Sequence, residues 1–200
     1  MRYGMVISLS RCIGCNACSI ACKHENGTGP GVFWRKVIIT ESGKYPQAAM
    51  HALPLLCNHC EDPSCAKVCP VKATKMDANG MVTIDAKKCI GCRYCMTACP
   101  YNVRAYVRSN DKGYFDEGLT EYEKAVYGEH KVGTVEKCTF CAQRVEEGKN
   151  PACVQTCPAK ALFFGDLDDP ASQVAKLLTD NPNAKTLKPE AGTKPKVFYI

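Results

Sequence analysis

The sequence predicts an α+β fold made of two interlocked, cysteine-rich units related by a pseudo-twofold, with a β-hairpin and a loop inserted between them. Three observations predict it. Sixteen cysteines fall into four similar motifs, a strand, turn and strand link the second motif to the third, and β-branched or aromatic runs occupy the remaining intervals.

Motif one is Cys12-xx-Cys15-xx-Cys18-xxx-Cys22. Motif three, Cys89-xx-Cys92-xx-Cys95-xxx-Cys99-Pro100, repeats that spacing and also carries Ile-Gly before its second Cys. Motif two widens one gap: Cys57-xx-Cys60, then Cys65-xxx-Cys69-Pro70. Motif four widens the same gap further: Cys138-xx-Cys141, then Cys153-xxx-Cys157-Pro158. No cysteine is left over.

Three closely spaced thiolates can cap three irons of one 4Fe-4S cubane, while the fourth Cys, usually before Pro, turns to a second cluster, as in bacterial two-cluster ferredoxins. The motifs therefore work in pairs, and four clusters are expected. Between motifs two and three, Val71 to Lys88 reads as a strand, a turn at Asp77-Ala78-Asn79-Gly80 and a strand at Met81 to Ile84. That makes one complete bacterial-ferredoxin-like unit, and motifs one and four are left to pair across it. The expected ligand sets are Cys12, Cys15, Cys18 and Cys157 for cluster one, and Cys22, Cys138, Cys141 and Cys153 for cluster two. Cluster three takes Cys57, Cys60, Cys65 and Cys99, and cluster four Cys69, Cys89, Cys92 and Cys95. Pairing one with two and three with four is the alternative. Zinc fits less well, because its closed tetrahedral sites favour two CxxC pairs. A disulfide framework conflicts with three cysteines at such short spacing.

The elements follow in chain order. Met1 to Leu9 holds no charged leader, apolar signal run or twin arginine, which predicts synthesis in a reducing cytoplasm. Phe33 to Thr40 and Ala49 to Leu56, turning at Ser42-Gly43, predict a hairpin over a cluster, with Trp34 packing or shielding and the aromatic strand around it offering an apolar docking face. His59 lies inside Cys57-Asn58-His59-Cys60 and is expected to tune a cluster rather than ligate it. Ser109 to Gly133 reads as a polar loop, suited to docking, with a short helix near Thr120 to Tyr127. Ala161 to Phe164 reads as a strand, and a helix is expected from Asp169 as N-cap, with Pro170 in its first turn, to about Leu178. Lys194 to Ile200 ends in a strand that rejoins the body.

The organisation expected is one compact protein over 1–200. It holds an inner unit at 55–108 and an outer unit from 1–29 with 135–165, with inserts at 30–54 (hairpin) and 109–134 (loop). A C-terminal helix and strand occupy 166–200. The formal charge is +6. Four clusters of about −2 each would take it to about −2, so the basic residues are explained without nucleic acid. Lys23, Arg93 and Lys137 adjoin ligands and are candidates for raising a potential. No stretch approaches the roughly 20 apolar residues of a membrane span. No nucleophile and base, phosphate loop or substrate signature is present, so the chain is not expected to catalyse a reaction alone.

The four motifs in this order, with Lys137-Cys138-Thr139-Phe140-Cys141, Asn150-Pro151-Ala152-Cys153, Gly165-Asp166-Leu167-Asp168-Asp169-Pro170 and Leu187 to Tyr199, resemble the iron-sulfur subunits of the dimethyl sulfoxide reductase, or molybdopterin oxidoreductase, superfamily. The closing segment looks most like the branch serving polysulfide, thiosulfate and respiratory arsenate reductases. The resemblance covers nearly the whole chain, with Ser109 to Gly133 the least matched. It implies an electron-transfer subunit of anaerobic respiration, carrying four 4Fe-4S clusters between a molybdenum or tungsten bis-pterin catalytic subunit and, in many relatives, a quinol-handling membrane anchor subunit. It also implies a periplasmic site reached by co-export with a signal-bearing catalytic subunit, or else a cytoplasmic one. A free-standing polyferredoxin shuttle is the alternative reading, and an oxygen sensor lacks any visible effector module.

Overall fold

The computed structural model describes all residues, 1–200. Strand β1 (Tyr3–Ile7) contributes Met5, Val6 and Ile7, all fully buried, which a strand covered on both faces requires. It lies at the centre of the three-stranded sheet. On one side β8 (Leu162–Asp166) runs antiparallel, from Tyr3 opposite Asp166 to Ile7 opposite Leu162. On the other side β9 (Val197–Tyr199) runs parallel, with Met5 opposite Val197. One sheet thus holds the segment before motif one, the segment after motif four and the C-terminal strand.

The cysteine motifs ride on short helices. Helix α1 (Ala17–Asn26) carries Cys18 and Cys22 and packs on α6 (Ala152–Thr156), which carries Cys153. Helix α2 (Ser64–Lys67) carries Cys65 and packs on α3 (Tyr94–Thr97), which carries Cys95. Between these two, β4 (Thr74–Met76) and β5 (Val82–Ile84) form the small hairpin, its turn tied by the Asp77 carboxylate accepting from the N–H groups of Asn79 and Met81 at 2.9 and 2.8 Å. A last two-stranded ladder joins β6 (Ala105–Tyr106) to β7 (Val135–Glu136), and α5 (Ala142–Glu146) follows Cys141.

The long hairpin pairs β2 (Arg35–Ser42) with β3 (Ala49–Leu56), from Arg35 opposite Leu56 to Ser42 opposite Ala49. Trp34 itself packs, one of the two roles expected of it, and so adds little to an apolar docking face. It turns inward, its indole N–H donating to Glu136 Oε2 at 3.2 Å and its ring meeting His130 edge-on. An indole whose N–H finds an acceptor can be taken from water at little cost. Apolar exposure lies elsewhere on the hairpin, at Phe33, Ile39 and Met50.

Helix α4 (Glu121–Tyr127) begins at a capping box, in which Thr120 Oγ1 accepts from the Glu123 N–H at 3.3 Å and the Glu123 carboxylate accepts from the Thr120 N–H at 2.8 Å. The final helix, α7 (Gln173–Asp180), starts three residues later than Asp169 and Pro170 suggest. The Asp169 carboxylate is committed to the Ala171 N–H at 2.8 Å, a local turn that competes with helix capping, and Ser172 caps instead through the Ala175 N–H at 3.2 Å. The core is continuous with the cysteine sites: Met5, Ile7, Leu56, Met81, Tyr101, Phe140, Leu162, Val197 and Tyr199 pack with Cys18, Cys57, Cys138 and Cys153. Mixed helix and small sheets around cysteine loops is the architecture of ferredoxin-like domains.

Candidate metal centres

The same backbone turn recurs in all four motifs. The residue just before the second cysteine has a positive φ every time: Gly14 at 69°, His59 at 41°, Gly91 at 68° and Phe140 at 56°. Glycine adopts this region freely, whereas His59 and Phe140 are held there against steric preference. Their rings stack on each other, centroids 3.8 Å apart, which offsets part of that cost. The turn gathers the loop around a cavity, as at Cys138, whose sulfur accepts from the Phe140 N–H at 3.4 Å.

Three cavities of similar size are lined by four cysteines each. One, of about 320 Å³ of atom-free space, has Cys12, Cys15, Cys18 and Cys157 on its wall. A second, of about 280 Å³, has Cys22, Cys138, Cys141 and Cys153. The third, of about 310 Å³, has Cys57, Cys60, Cys65 and Cys99. Near the β4 and β5 hairpin, Cys95 lies close enough to Cys89 and Cys69 to feel their charge, and Cys92 is exposed on the adjoining loop. All sixteen thiols are free. No three His, Cys, Asp or Glu groups converge on a single-ion point. A zinc ion would draw four thiolates to about 2.3 Å from one centre, whereas a cubane spreads its four ligands around a larger body.

Two kinds of polar atom point to what these cavities suit. The first are buried donors and acceptors with no protein partner: Arg35 Nε and Nη2 beside the second cavity, and the Asn58 amide and Arg104 Nη2 beside the third. The second are buried cations without a carboxylate. Arg35, Lys137 and Lys196 are at most 2% exposed and Arg104 is 6% exposed. The molecule's ion pairs involve the N-terminus, Arg2, Lys67, Lys88, Lys124, His130, Arg144 and Lys149, and none of these four. An uncompensated buried cation costs several kcal/mol. An anionic group held by thiolates fits the donors present, and it supplies the missing counter-charge.

Burial governs the protonation of the thiols themselves. Burial pushes Cys22 up to about 12, with the thiols of Cys153 and Cys141 adding to the rise, and burial likewise pushes Cys60 up to about 11. Burial raises Cys138 and Cys153 as well. The polypeptide alone keeps these sulfurs protonated, so binding an iron core must release protons. Several sulfurs also accept hydrogen bonds: Cys157 from the Ala161 N–H at 3.3 Å, Cys22 from Asn26 Nδ2 at 3.6 Å and Cys153 from Arg35 Nη1 at 3.5 Å. Such bonds raise a cluster's reduction potential.

The basic candidates singled out by sequence adjacency behave differently from one another. Lys23 turns its ammonium to the carbonyls of Thr28, Gly29 and Val32 at 2.8 to 3.0 Å, and burial lowers its pKa to about 8. Arg93 lies flat over the Tyr106 ring at 3.8 Å. Lys137 is buried and donates to the carbonyls of Val82 and Cys138. His59 is fully buried, and its Nδ1 accepts from the Val82 N–H at 3.1 Å. Burial, with Lys137 and Lys196 nearby, holds it neutral. Sequence adjacency misses Arg35 and Arg104. The signal was a charged residue beside apolar ones near a motif, Trp34-Arg35 opening a strand and Val103-Arg104 with Arg104 five positions after Cys99.

Comparison with known proteins bears on the whole chain. The 4Fe-4S dicluster domain family matches residues 48–115 and 120–167. Over 226 residues the chain is 41% identical to the arsenate respiratory reductase iron-sulfur subunit ArrB of Shewanella sp. (strain ANA-3), covering all of this chain and 96% of that one. Over 211 residues it is 42% identical to a selenate reductase subunit of Mesobacillus selenatarsenatis, covering all of this chain and 72% of the other. Over 204 residues it is 35% identical to a polysulfide reductase chain of Wolinella succinogenes, covering all of this chain and 94% of the other.

Proposed function

Since the chain belongs to the 4Fe-4S dicluster family of reductase iron-sulfur subunits, we propose that its sixteen cysteines hold four 4Fe-4S clusters in a line, relaying electrons to or from a molybdopterin-containing catalytic subunit. It is an electron-transfer subunit of an oxidoreductase and does not itself catalyse. Bound clusters supply one-electron carriers, and the protein supplies their spacing, their potentials and the exclusion of water.

The observation that carries the reading is the arrangement of the four cysteine sets. Arg35 is near Cys18 of the first set and Cys153 of the second. Cys138 of the second set feels Cys57 of the third, and Arg104 is near Cys65 of the third and Cys95 of the fourth. That supports the order one, two, three, four. Cys15 and Cys92, in the two end sets, are the exposed thiols, so the line is open at both ends. The packing of α1 on α6 and of α2 on α3 supports the pairing of motif one with four and two with three, and with it two interlocked units at 1–29 with 135–165 and at 55–108.

Electrons pass between the pterin enzyme at one end and a donor or acceptor at the other, a quinol-handling membrane anchor subunit being the fitting one. No helix here is long and apolar enough to cross a membrane. The site of action is the periplasm, reached by co-export with a signal-bearing catalytic partner, and cell fractionation that recovers the chain only from cytoplasm would refute this. The central test is elemental analysis of the natively tagged complex, purified without oxygen. About sixteen irons, matching sulfide and about one molybdenum or tungsten per chain are expected. Sixteen irons with neither metal would favour a free polyferredoxin, and zinc in place of iron would overturn the cluster assignment.

A further inference from the structure

Resting on that four-cluster reading, we propose that Arg35 and Arg104 are shared counter-cations, each set between two neighbouring clusters, raising the reduction potential of both members of its pair. Arg35 joins clusters one and two, and Arg104 joins clusters three and four.

Arg35 opens β2, and its side chain is almost wholly removed from water. Its Nη1 donates to Cys153 Sγ at 3.5 Å and meets Met5 Sδ at 3.6 Å, while Nε and Nη2 have no protein partner. The guanidinium lines one cavity with Cys153 and Cys138 of the second set and is close enough to Cys18 of the first to feel its charge. Arg104 repeats the arrangement at the other half of the molecule. It follows Cys99 by five positions, as Thr74 follows Cys69, and these two bond to each other, Arg104 Nη1 donating to Thr74 Oγ1 at 3.4 Å. Its Nη2 is unpartnered, and it lines a cavity with Cys65 and Cys57 of the third set and is close enough to Cys95 of the fourth to feel its charge.

The middle junction is built otherwise. Lys137 and Lys196 are buried there, but their ammonium groups are taken up by the carbonyls of Val82, Cys138 and Gly80. Arg35 instead donates to a ligand sulfur, and both arginines keep N–H groups with no protein partner. A planar fork with five donors can address two acceptor groups at once, which an ammonium on a flexible stem cannot do as well. Each cluster becomes more negative by one charge when reduced, so a fixed cation beside it favours the reduced state.

Reduction potentials of the anaerobically purified complex, titrated by electron paramagnetic resonance, test this in Arg35→Met, Arg104→Met, Arg35→Lys and Arg104→Lys. In each Met variant two of the four midpoints should fall, each by at least a tenfold change in the reduced-to-oxidised ratio at fixed potential, or 59 mV for one electron. The two affected pairs should not overlap, and the Lys variants should shift less than half as far. Iron loss in both Met variants, with a full complement and near-native potentials in both Lys variants, would equally support a required shared charge. Shifts in all four clusters, in none, or in one alone would overturn the proposal. So would Lys variants shifted as far as Met, or iron loss in all four variants. Iron and sulfide are counted in the wild-type sample too: a count far from sixteen there sinks the four-cluster reading itself, whereas a full count with unmoved potentials sinks only the role of the arginines.

Discussion

His130 sits between two acceptors, Glu136 Oε1 at 2.7 Å from Nδ1 and the Asn26 carbonyl at 2.8 Å from Nε2. Both ring nitrogens must donate, so the ring is an imidazolium, and the hydrogen bond to Glu136 is the main cause that raises its pKa above 6.5. A raised folded-state value means the stabilisation is fully present below about pH 6.5 and is lost as pH rises through the raised value. The thermal midpoint of His130→Gln should therefore fall furthest below the wild type in mild acid and converge with it at alkaline pH. A gap that is constant with pH would show that charge plays no part. Little of this was legible in the sequence, because Asn26 lies 104 residues before His130 and meets it only through folding. The same holds for Arg35 and Arg104, whose importance comes from burial beside two sets of cysteines, whereas Lys23 and Arg93 had adjacency in their favour and turned to loop carbonyls and a Tyr ring.

The cysteine loops were the most legible elements, because their geometry is local: ligand spacing within a motif depends on a few φ values. Two motifs that look alike nonetheless differ in tolerance. A Cβ on Gly91 would lie 1.9 Å from the Gly133 carbonyl oxygen, whereas one on Gly14 would meet side chains alone, the far end of Ile39 at 3.0 Å and the Ala52 methyl at 3.3 Å. Both residues have φ near +70°, so both alanine variants carry backbone strain of about 1 kcal/mol, but only Gly91→Ala must also move main chain. Gly91→Ala should lose about four irons per chain, and Gly14→Ala should retain nearly the full count. Equal iron in the two would mean that the 131–135 segment yields easily. The hairpin and the helix after Thr120 were readable from β-branched runs and polar caps. The start of α7 was not, since Asp169 and Ser172 both offer capping chemistry and the choice rests on which one the preceding turn consumes.

At the scale of the whole molecule, burial grades the sites. The second set has all four cysteines buried, whereas each end set has an exposed one, Cys15 or Cys92. Ile13 and Ile90, which open the two Ile-Gly-Cys turns, are both 63% exposed. Brief exposure of the isolated subunit to air should therefore bleach clusters one and four before cluster two, as followed by the order in which their paramagnetic signals disappear. Simultaneous loss would mean that oxygen does not enter through the ends. The four motifs suggest two pairings, but nothing in a one-dimensional pattern says that β1 is the middle strand of its sheet. That placement reaches beyond stability. Strand β1 is made first on the ribosome, yet its neighbours β8 and β9 are the last strands to emerge, and Cys157 with them. Motifs two and three can fold while synthesis continues, but motif one has to wait, its thiols open, until the rest of the chain has been made. On the proposed pairing, cluster insertion is expected to run from the inner sites outward, leaving the earliest-made cysteines open the longest.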